Sequence, residues 1–178
     1  MGMKPSAFII EGLDRLGKSS LIQGIIKHFG YHHIIHYSKP IKTSVYENDF
    51  QYQYKSFQYG FDLLKQPKIP VIFDRFHLGE TVYSNIYRGY DGGYVFNLES
   101  DYSAHKMENV KMILLTSSNL SFQKDDGDSF DWSKRAEEQQ RFVNAFNKSV
   151  MPNKIMVDVH DGNGGYKPYD QILKEAIE

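Results

Sequence analysis

Cysteine is absent from this chain of 178 residues. Its absence excludes disulfides, thiolate nucleophiles and cysteine metal sites, and it fits the reducing cytosol, where we expect a cytoplasmic location. Long apolar runs are also missing, so the chain offers no stretch of the ~20 residues that a membrane helix needs. The N-terminus has no apolar signal-peptide core. We therefore expect neither a membrane partner nor export.

The chain has no large excess of positive or negative charge, because 21 basic and 22 acidic residues leave a formal net charge of −1. Proteins that grip a nucleic-acid backbone usually carry a clear positive excess, so this balance argues against a nucleic-acid partner. The length suits one domain with a sizeable core, and we predict a single domain over residues 1–178. The sequence leaves the oligomeric state open, with a homodimer as one option.

Short apolar runs alternate with helix-like stretches along the chain. This alternation predicts an α/β fold with a five-stranded, mostly parallel sheet and helices on both faces. The predicted strands are Ala7–Ile10, His33–His36, Val71–Phe73, Val110–Leu115 and Ile155–Val159. The predicted helices are Leu21–Phe29, Tyr46–Leu64, Leu78–Arg88, Trp132–Val150 and Pro168–Ile177. Residues of about 119–133 are polar and contain glycine, which predicts a loop.

The segment Gly12-Leu13-Asp14-Arg15-Leu16-Gly17-Lys18-Ser19 matches the phosphate-binding pattern G-x-x-x-x-G-K-[ST]. A buried strand precedes it and a helix follows it, which is the context that phosphate binding needs. The glycines let successive backbone N–H groups point at phosphate oxygens, and the helix N-terminus adds the positive end of its dipole. We predict an ATP site formed by Gly12, Asp14, Arg15, Leu16, Gly17, Lys18, Ser19 and Ser20.

Individual side chains of this loop and of the third strand have distinct expected tasks. Lys18 brings its charge to the β- and γ-phosphates, the Ser19 hydroxyl is placed to bind Mg²⁺, and Ser20 can reach the α-phosphate. The third predicted strand ends at Asp74, whose carboxylate can hold Mg²⁺ if this strand neighbours the first one. Arg75 would then bridge the donor and acceptor phosphates.

The opening Phe8–Ser20 resembles that of thymidylate kinases, which have Glu-Gly after the first strand and Asp-Arg inside the loop. Asp74-Arg75-Phe76 is similar to their Asp-Arg-Tyr, and Ser129-Phe130-Asp131 is similar to the segment behind their lid. The resemblance implies the P-loop kinase fold, a lid over about residues 119–133, and ATP-dependent, Mg²⁺-dependent phosphorylation of a deoxynucleoside monophosphate such as dTMP.

The same resemblance implies roles for individual residues. Asp14 would contact the 3′-hydroxyl of the acceptor sugar, and Arg15 would stabilise charge on the phosphoryl group in flight. Arg75 would clamp the acceptor phosphate. The implied catalytic residues are Lys18, Arg15 and Arg75.

The acceptor pocket departs from the thymidylate kinase pattern. Lys39 precedes a proline where those kinases usually have Glu, and Phe61 stands where a base-reading Arg is expected. Phe57 occupies the position of the base-stacking Phe, with a plain core position as the other interpretation. Tyr83 is predicted near the sugar, with a packed amphipathic tyrosine as its alternative. The identity of the base therefore stays open.

Related P-loop enzymes phosphorylate deoxynucleosides, and they are the alternative within this class. A 5′-hydroxyl has a pKa near that of water, ~15.7, and needs a general base. In that family the Glu that Lys39 replaces supplies it. A phosphate acceptor has its second pKa near ~6 and is already ionised at neutral pH. Because Lys39 also suits an anionic acceptor, we favour a nucleoside monophosphate, while Glu11 stays open as a substitute base for a nucleoside.

Three other interpretations are weaker or stay open. A GTPase switch requires Asn-Lys-x-Asp, but Asn153-Lys154 is followed by Ile155-Met156. A nucleotide-binding protein without catalysis stays open. The histidine group of the second strand does not indicate a metal site, because its members have no acidic neighbours in the sequence. These histidines are His32, His33 and His36.

The predicted lid carries cations that are candidates for phosphate contacts. They are Lys124 and the pair Lys134-Arg135, for which a solvated helix face is the alternative interpretation. Closure of such a lid would expel water, which otherwise competes with the acceptor.

Overall fold

Short strands and helices alternate along the chain, as the sequence pattern predicts. The computed structural model describes residues 5–39, 48–66, 69–103, 107–125, 127 and 131–178. The strands in these ranges are β1 (Ala7–Glu11), β2 (His33–His36), β3 (Val71–Asp74), β4 (Val110–Thr116) and β5 (Lys154–Asp158). The α-helices are α1 (Lys18–Phe29), α2 (Asp49–Leu64), α3 (His77–Tyr83), α4 (Val95–Ser103), α5 (Arg135–Lys148) and α6 (Tyr169–Ile177).

All five strands pair in parallel, in the order β2-β3-β1-β4-β5. β1 lies in the middle and is buried along its whole length, which explains its uninterrupted apolar run. The predicted pairing of the first and third strands is confirmed, with Ile10 opposite Asp74. Since the carboxyl ends of parallel strands meet at one edge, the residues that follow β1, β2 and β3 are brought together there.

Helices flank this sheet in two groups and complete the predicted α/β fold. Helix α1 contacts α6, whereas α3 contacts α4 and α5, and α2 contacts α4. The largest fully buried side chains of the core include Phe8, Phe73 and Phe142. Apolar burial of this kind contributes about 25 cal/mol for each Å² removed from water, which holds the strand ends in place.

Helix boundaries differ from the prediction in ways that have local causes. Helix α1 already begins at Lys18, because the left-handed Gly17 ends the loop directly before it. After α3 the chain continues as a π-helical turn, Ser84–Arg88, instead of a regular helix. Helix α4 was not predicted, since its polar residues mask its short apolar face. The predicted helix start at Tyr46 lies outside the described residues.

The predicted helix over Trp132–Val150 is a short 3-10 turn, Trp132–Lys134, followed by α5. In the described parts of the chain, no helix combines the length and the apolar character that crossing a membrane requires.

Candidate active site

The loop between β1 and α1 makes a tight turn that depends on two glycines. Gly12 has a φ of 127°, and a Cβ there would stand 2.4 Å from the backbone oxygen of Leu115 in β4. Gly17 has a φ of 87° and lies directly before the first residue of α1. Both positions thus require glycine, one for space as well as backbone conformation and the other for conformation. Backbone amides in a loop of this shape before a helix N-terminus can bind phosphate oxygens.

Lys18 closes this loop from within. Its ammonium group donates to the carbonyl oxygens of Gly12 at 2.9 Å and Leu13 at 2.6 Å, and it lies 3.6 Å from a carboxylate oxygen of Asp14. The side chain is only 7% exposed. Burial and the nearby Arg75 cation lower the pKa of Lys18 to about 8, although neighbouring carboxylates oppose this. A bound phosphate would oppose the lowering of the pKa by burial and by Arg75, because its negative charge stabilises the ammonium group more strongly than neutral carbonyl groups do.

The other loop residues of the predicted ATP site lie around Lys18. Leu16 buries its side chain in the core. Arg15 is exposed and adopts a left-handed backbone with a φ of 64°. Ser19 and Ser20 are exposed in the first turn of α1.

Asp14 and Arg75 join the loop to the end of β3. The Arg75 guanidinium donates to Asp14 Oδ1. Burial opposes ionisation of Asp14, but the Lys18 and Arg75 cations outweigh it and lower the pKa of this carboxyl. Arg75 itself has a left-handed backbone, with a φ of 62°, immediately after the strand. Of the two neighbouring side chains, Arg75 contacts Asp14 of the loop, and Arg75 and Asp74 both contact His36 of β2.

Oxygen ligands for Mg²⁺ are available beside the loop. Asp74 Oδ1 is buried and has no hydrogen-bond partner among the described residues, while Oδ2 is 2.8 Å from Nδ1 of His36. With the Ser19 hydroxyl, these are the hard oxygen donors that Mg²⁺ prefers. The described residues hold no group of three or more acidic, histidine or cysteine side chains that would form a protein-only metal cage. Mg²⁺ in kinases takes its remaining ligands from phosphates and water, so the residues present fit it.

A cavity of about 570 Å³ opens beside the loop. Its walls include the five residues that the sequence predicts for the acceptor site, which are Asp14, Lys39, Phe57, Arg75 and Tyr83. They come from the loop after β1, the end of β2, α2, the end of β3 and α3. The structure therefore brings together, in one concave site, residues that are up to 69 positions apart in the sequence (Asp14 to Tyr83).

Aromatic rings form one wall of this cavity. Tyr37 stacks on Phe57, with ring centroids 5.2 Å apart and planes inclined by 10°, and Phe57 is only 2% exposed. Phe57 thus belongs to the core and the cavity wall at once. Phe61 is not among the cavity-lining residues and packs against Phe76, His77 and Tyr102 instead.

Tyr83 lies on the wall near the loop. Burial raises the pKa of its phenol, and the carboxylates of Glu138 and Asp14 add to this effect. The phenol therefore stays neutral at all ordinary pH values and can donate a hydrogen bond.

Sequence reasoning missed the polar groups at the other end of the cavity. Glu80 accepts hydrogen bonds from Arg88, from the Tyr90 hydroxyl at 2.6 Å and from the Tyr94 hydroxyl at 3.0 Å. Burial raises the pKa of Glu80, and these donors offset the shift only in part. Nothing in the sequence distinguishes this glutamate from a solvated helix residue.

Gln53 and Glu138 also line the cavity. Gln53 lies one turn before Phe57 on α2, so their shared helix face was a usable signal. Glu138 accepts a hydrogen bond from the Tyr87 hydroxyl at 2.5 Å.

Arg135 connects the predicted lid to the loop. Its guanidinium donates to the backbone oxygen of Asp14 at 2.9 Å and to the side chain of Gln123, and it lies 4.3 Å from the centre of the Trp132 ring. Arg135 is buried, so the solvated helix face is wrong for this residue. Lys134 lies over the Tyr87 ring, 5.4 Å from its centre. The resembling residues Ser129 and Phe130 lie outside the described residues.

No protein-family model matches the chain, and no curated protein sequence matches it. Similar folds occur among solved structures. The YorR protein from Bacillus subtilis, crystallised with phosphorylated GDP, is 17% identical, and the match covers 94% of this chain and 91% of that chain with a TM-score of 0.67.

Thymidylate kinase from Candida albicans is 17% identical over 96% of this chain and 88% of its own, with a TM-score of 0.60. Deoxyadenosine kinase from M. mycoides is 17% identical over 94% and 95%, with a TM-score of 0.50. At these identities the likeness establishes the fold, and this chain therefore has the α/β fold of the P-loop nucleotide kinases.

Proposed function

We propose that this protein transfers the γ-phosphoryl group of ATP to a nucleoside monophosphate, most simply a deoxynucleoside monophosphate such as dTMP. The observation that carries the proposal is the position of Arg75. It contacts Asp14 of the phosphate-binding loop and also lines the cavity. A cation at that junction would touch both the phosphoryl group that leaves ATP and the phosphate that receives it.

The donor half of the reaction rests on the loop and α1. Backbone amides between Gly12 and Lys18 would wrap the β- and γ-phosphates, and the Lys18 ammonium would move from its carbonyl partners to these phosphates. Ser20 would meet the α-phosphate. Ser19 and Asp74 would hold Mg²⁺, which neutralises phosphate charge. Phosphoryl transfer depends mainly on positioning and charge stabilisation, so these contacts account for most of the chemistry.

The acceptor half rests on the cavity. Arg75 and Lys39 would hold the acceptor phosphate, because both cations line the cavity and Arg75 also contacts the loop. Asp14 and Tyr83 would meet the sugar, and Arg15 would stabilise charge on the transferred group. The wall of Tyr37 and Phe57 would pack against the base. Arg135, tied to Asp14, would keep the lid segment over the reacting groups.

The far end of the cavity would recognise the base. Gln53 offers an amide donor and acceptor, and Arg88 offers donors only, because a guanidinium has no acceptor. The carboxylate oxygens of Glu80 are already occupied by Arg88, Tyr90 and Tyr94. Donors at that end suit a base with carbonyl acceptors, which thymine and guanine both have. The phosphorylated GDP in the similarly folded YorR protein supports including guanine nucleotides among the candidates.

A deoxynucleoside kinase is the second candidate, because deoxyadenosine kinase shares the fold and three carboxylates line the cavity. A 5′-hydroxyl acceptor needs a base. Glu11 is fully buried, and its Oε1 accepts from the backbone N–H groups of Phe76 and Leu78. It is not among the cavity-lining residues. The burial of Glu11 argues against Glu11 as the base of a nucleoside kinase, whereas a monophosphate acceptor needs no base.

A coupled ADP-release assay over the common nucleosides and their monophosphates tests the proposal. We expect turnover with at least one monophosphate, loss of that turnover in Lys18→Ala, and no loss in the matched control Lys27→Ala on the exposed side of α1. Turnover with nucleosides alone would replace the proposal by the second candidate. ATP binding without any acceptor would leave a nucleotide-binding protein without catalysis.

A further inference from the structure

His36 stands at the edge of the proposed site and belongs to none of the roles described above. It is the last residue of β2, and the parallel register places it opposite Asp74, the last residue of β3. The backbone N–H of Tyr37 donates to the backbone oxygen of Asp74 at 3.0 Å, which fixes this pairing beyond the strand ends. The side chain is 48% exposed and does not line the cavity.

The imidazole of His36 contacts two consecutive residues of the proposed site. Its Nδ1 is 2.8 Å from Asp74 Oδ2, and its Nε2 is 3.2 Å from Nη1 of Arg75. A guanidinium only donates, so Nε2 must be the acceptor. Nδ1 then carries the hydrogen and donates to the carboxylate. The two contacts together select one neutral tautomer.

Both partners of His36 need to be held in place. Arg75 has a left-handed backbone, which L-residues with side chains adopt at a cost, so its direction depends on contacts that the turn makes. Asp74 Oδ2 is occupied by the imidazole, which leaves the buried Oδ1 as the oxygen without a partner among the described residues. A rotated carboxylate would present a different oxygen to the loop.

We infer that His36 is a positioning residue that fixes the Asp74 carboxylate towards the metal site and the Arg75 guanidinium towards the acceptor phosphate. This inference rests on the proposed function, because it assigns His36 to the metal and phosphate sites of that reaction. Hydrogen-bond partners of metal ligands typically change metal affinity or activity by ~10–100-fold when removed. His36 couples two such effects through one ring.

Two amide substitutions separate the two contacts. In His36→Asn the side-chain NH₂ falls near the former Nδ1, so the contact with Asp74 is kept and that with Arg75 is lost. In His36→Gln the amide oxygen falls near the former Nε2, so the reverse holds. His36→Ala removes both. His33→Ala is the matched control, because His33 lies on the same strand, is exposed, and contacts Tyr31 instead.

Kinetics and calorimetry provide the readouts. We expect His36→Ala to raise the Mg²⁺ concentration for half-maximal activity by ~10-fold or more, and also to raise the acceptor KM. His36→Asn should restore the Mg²⁺ dependence alone, and His36→Gln the acceptor KM alone. The gain in ATP affinity on adding Mg²⁺, measured by titration calorimetry, should fall in the Ala and Gln variants. Nitrogen NMR of the free protein should show the Nδ1–H tautomer.

The failures are distinguishable. Wild-type protein without phosphoryl transfer contradicts the proposed function. Active wild-type protein whose Ala variant behaves like His33→Ala overturns the positioning role, as does an Nε2–H tautomer. Equal losses in the Asn and Gln variants also overturn it, since a purely structural residue would produce them.

Discussion

Two arginine–carboxylate pairs line the same cavity and differ in their surroundings. In the pair near the loop, the Arg75 and Asp14 side chains are 25% and 42% exposed. In the pair at the far end, the Arg88 and Glu80 side chains are 11% and 0% exposed. Glu80 also accepts hydrogen bonds from two tyrosine hydroxyls, whereas Asp14 forms a second ion pair with Lys18.

This difference separates a pair that can exchange partners from one that cannot. A partly solvated ion pair is worth little by itself, so a phosphate can take over the Arg75 guanidinium at low cost. Removing the cation from a buried carboxylate is strongly destabilising, because the carboxylate has lost its hydration and no other charge compensates for it. We therefore expect the loop pair to govern catalysis and the far pair to govern stability and the shape of the cavity.

The largest expected effect is on the rate. Arg75→Ala should lower the rate of phosphoryl transfer by ~10³-fold or more, because it removes the cation between donor and acceptor phosphates. Single-turnover kinetics with the preferred acceptor measures this step. Arg141→Ala is the control, since Arg141 pairs with Glu137 on the exposed side of α5. A loss below tenfold in Arg75→Ala would show that this residue does not stabilise the transition state.

The far pair should respond in stability. Arg88→Ala should lower the free energy of unfolding by ~3–5 kcal/mol, because the Glu80 carboxylate stays buried without its cation. Urea denaturation measures it. Adding Glu80→Gln should recover part of the loss. Lys65→Ala breaks the exposed pair with Asp62 and should cost only ~0–1 kcal/mol. Equal losses in Arg88→Ala and Lys65→Ala would show that burial does not set the two pairs apart.

The tyrosines around Glu80 refine the comparison. Tyr94→Phe should lower the free energy of unfolding by ~1.5–3 kcal/mol, since it removes a hydrogen bond to a buried charged group. Tyr90→Phe should behave alike. Tyr59→Phe on the exposed face of α2 serves as the control. Chemical denaturation distinguishes them, and an unchanged stability in both variants would mean that Arg88 alone holds the carboxylate.

The smallest expected effect belongs to the carboxylate of the loop pair. Asp14→Asn should change the free energy of unfolding by only ~0–1 kcal/mol, because the pair is partly solvated. Thermal unfolding without ligands is the measurement. A loss as large as that of Arg88→Ala would make the loop pair structural and would contradict the partner exchange that we propose.

Local patterns made the shape of the loop between β1 and α1 predictable. Gly12, Gly17 and Lys18 lie in one short segment between a strand and a helix. The geometry of this loop therefore follows from residues that are close in the sequence. Asp74 was predictable because an apolar strand that ends in Asp reaches the same sheet edge. The pairing of β1 and β3 confirmed the neighbour relation on which that prediction depended.

Long-range contacts were not predictable in this way. His36 has no acidic neighbour in the sequence, but the register of β2 and β3 brings it to Asp74, 38 residues away. Arg135 reaches the Asp14 backbone across 121 residues. Glu80 depends on tyrosines that follow a π-helical turn, which no hydrophobic period indicates. A single sequence does not show which of these distant residues come into contact in the fold.

In the proposed function, the phosphate-binding loop and the cavity form one site across Arg75. Titration calorimetry can probe this continuity with a bisubstrate analogue, which joins adenosine to the preferred acceptor nucleoside through a pentaphosphate. Linking two ligands that bind side by side should strengthen binding by ~10²-fold or more over ATP alone. An analogue that binds no more tightly than ATP, with its acceptor half making no contribution, would show that the loop and the cavity do not form one site.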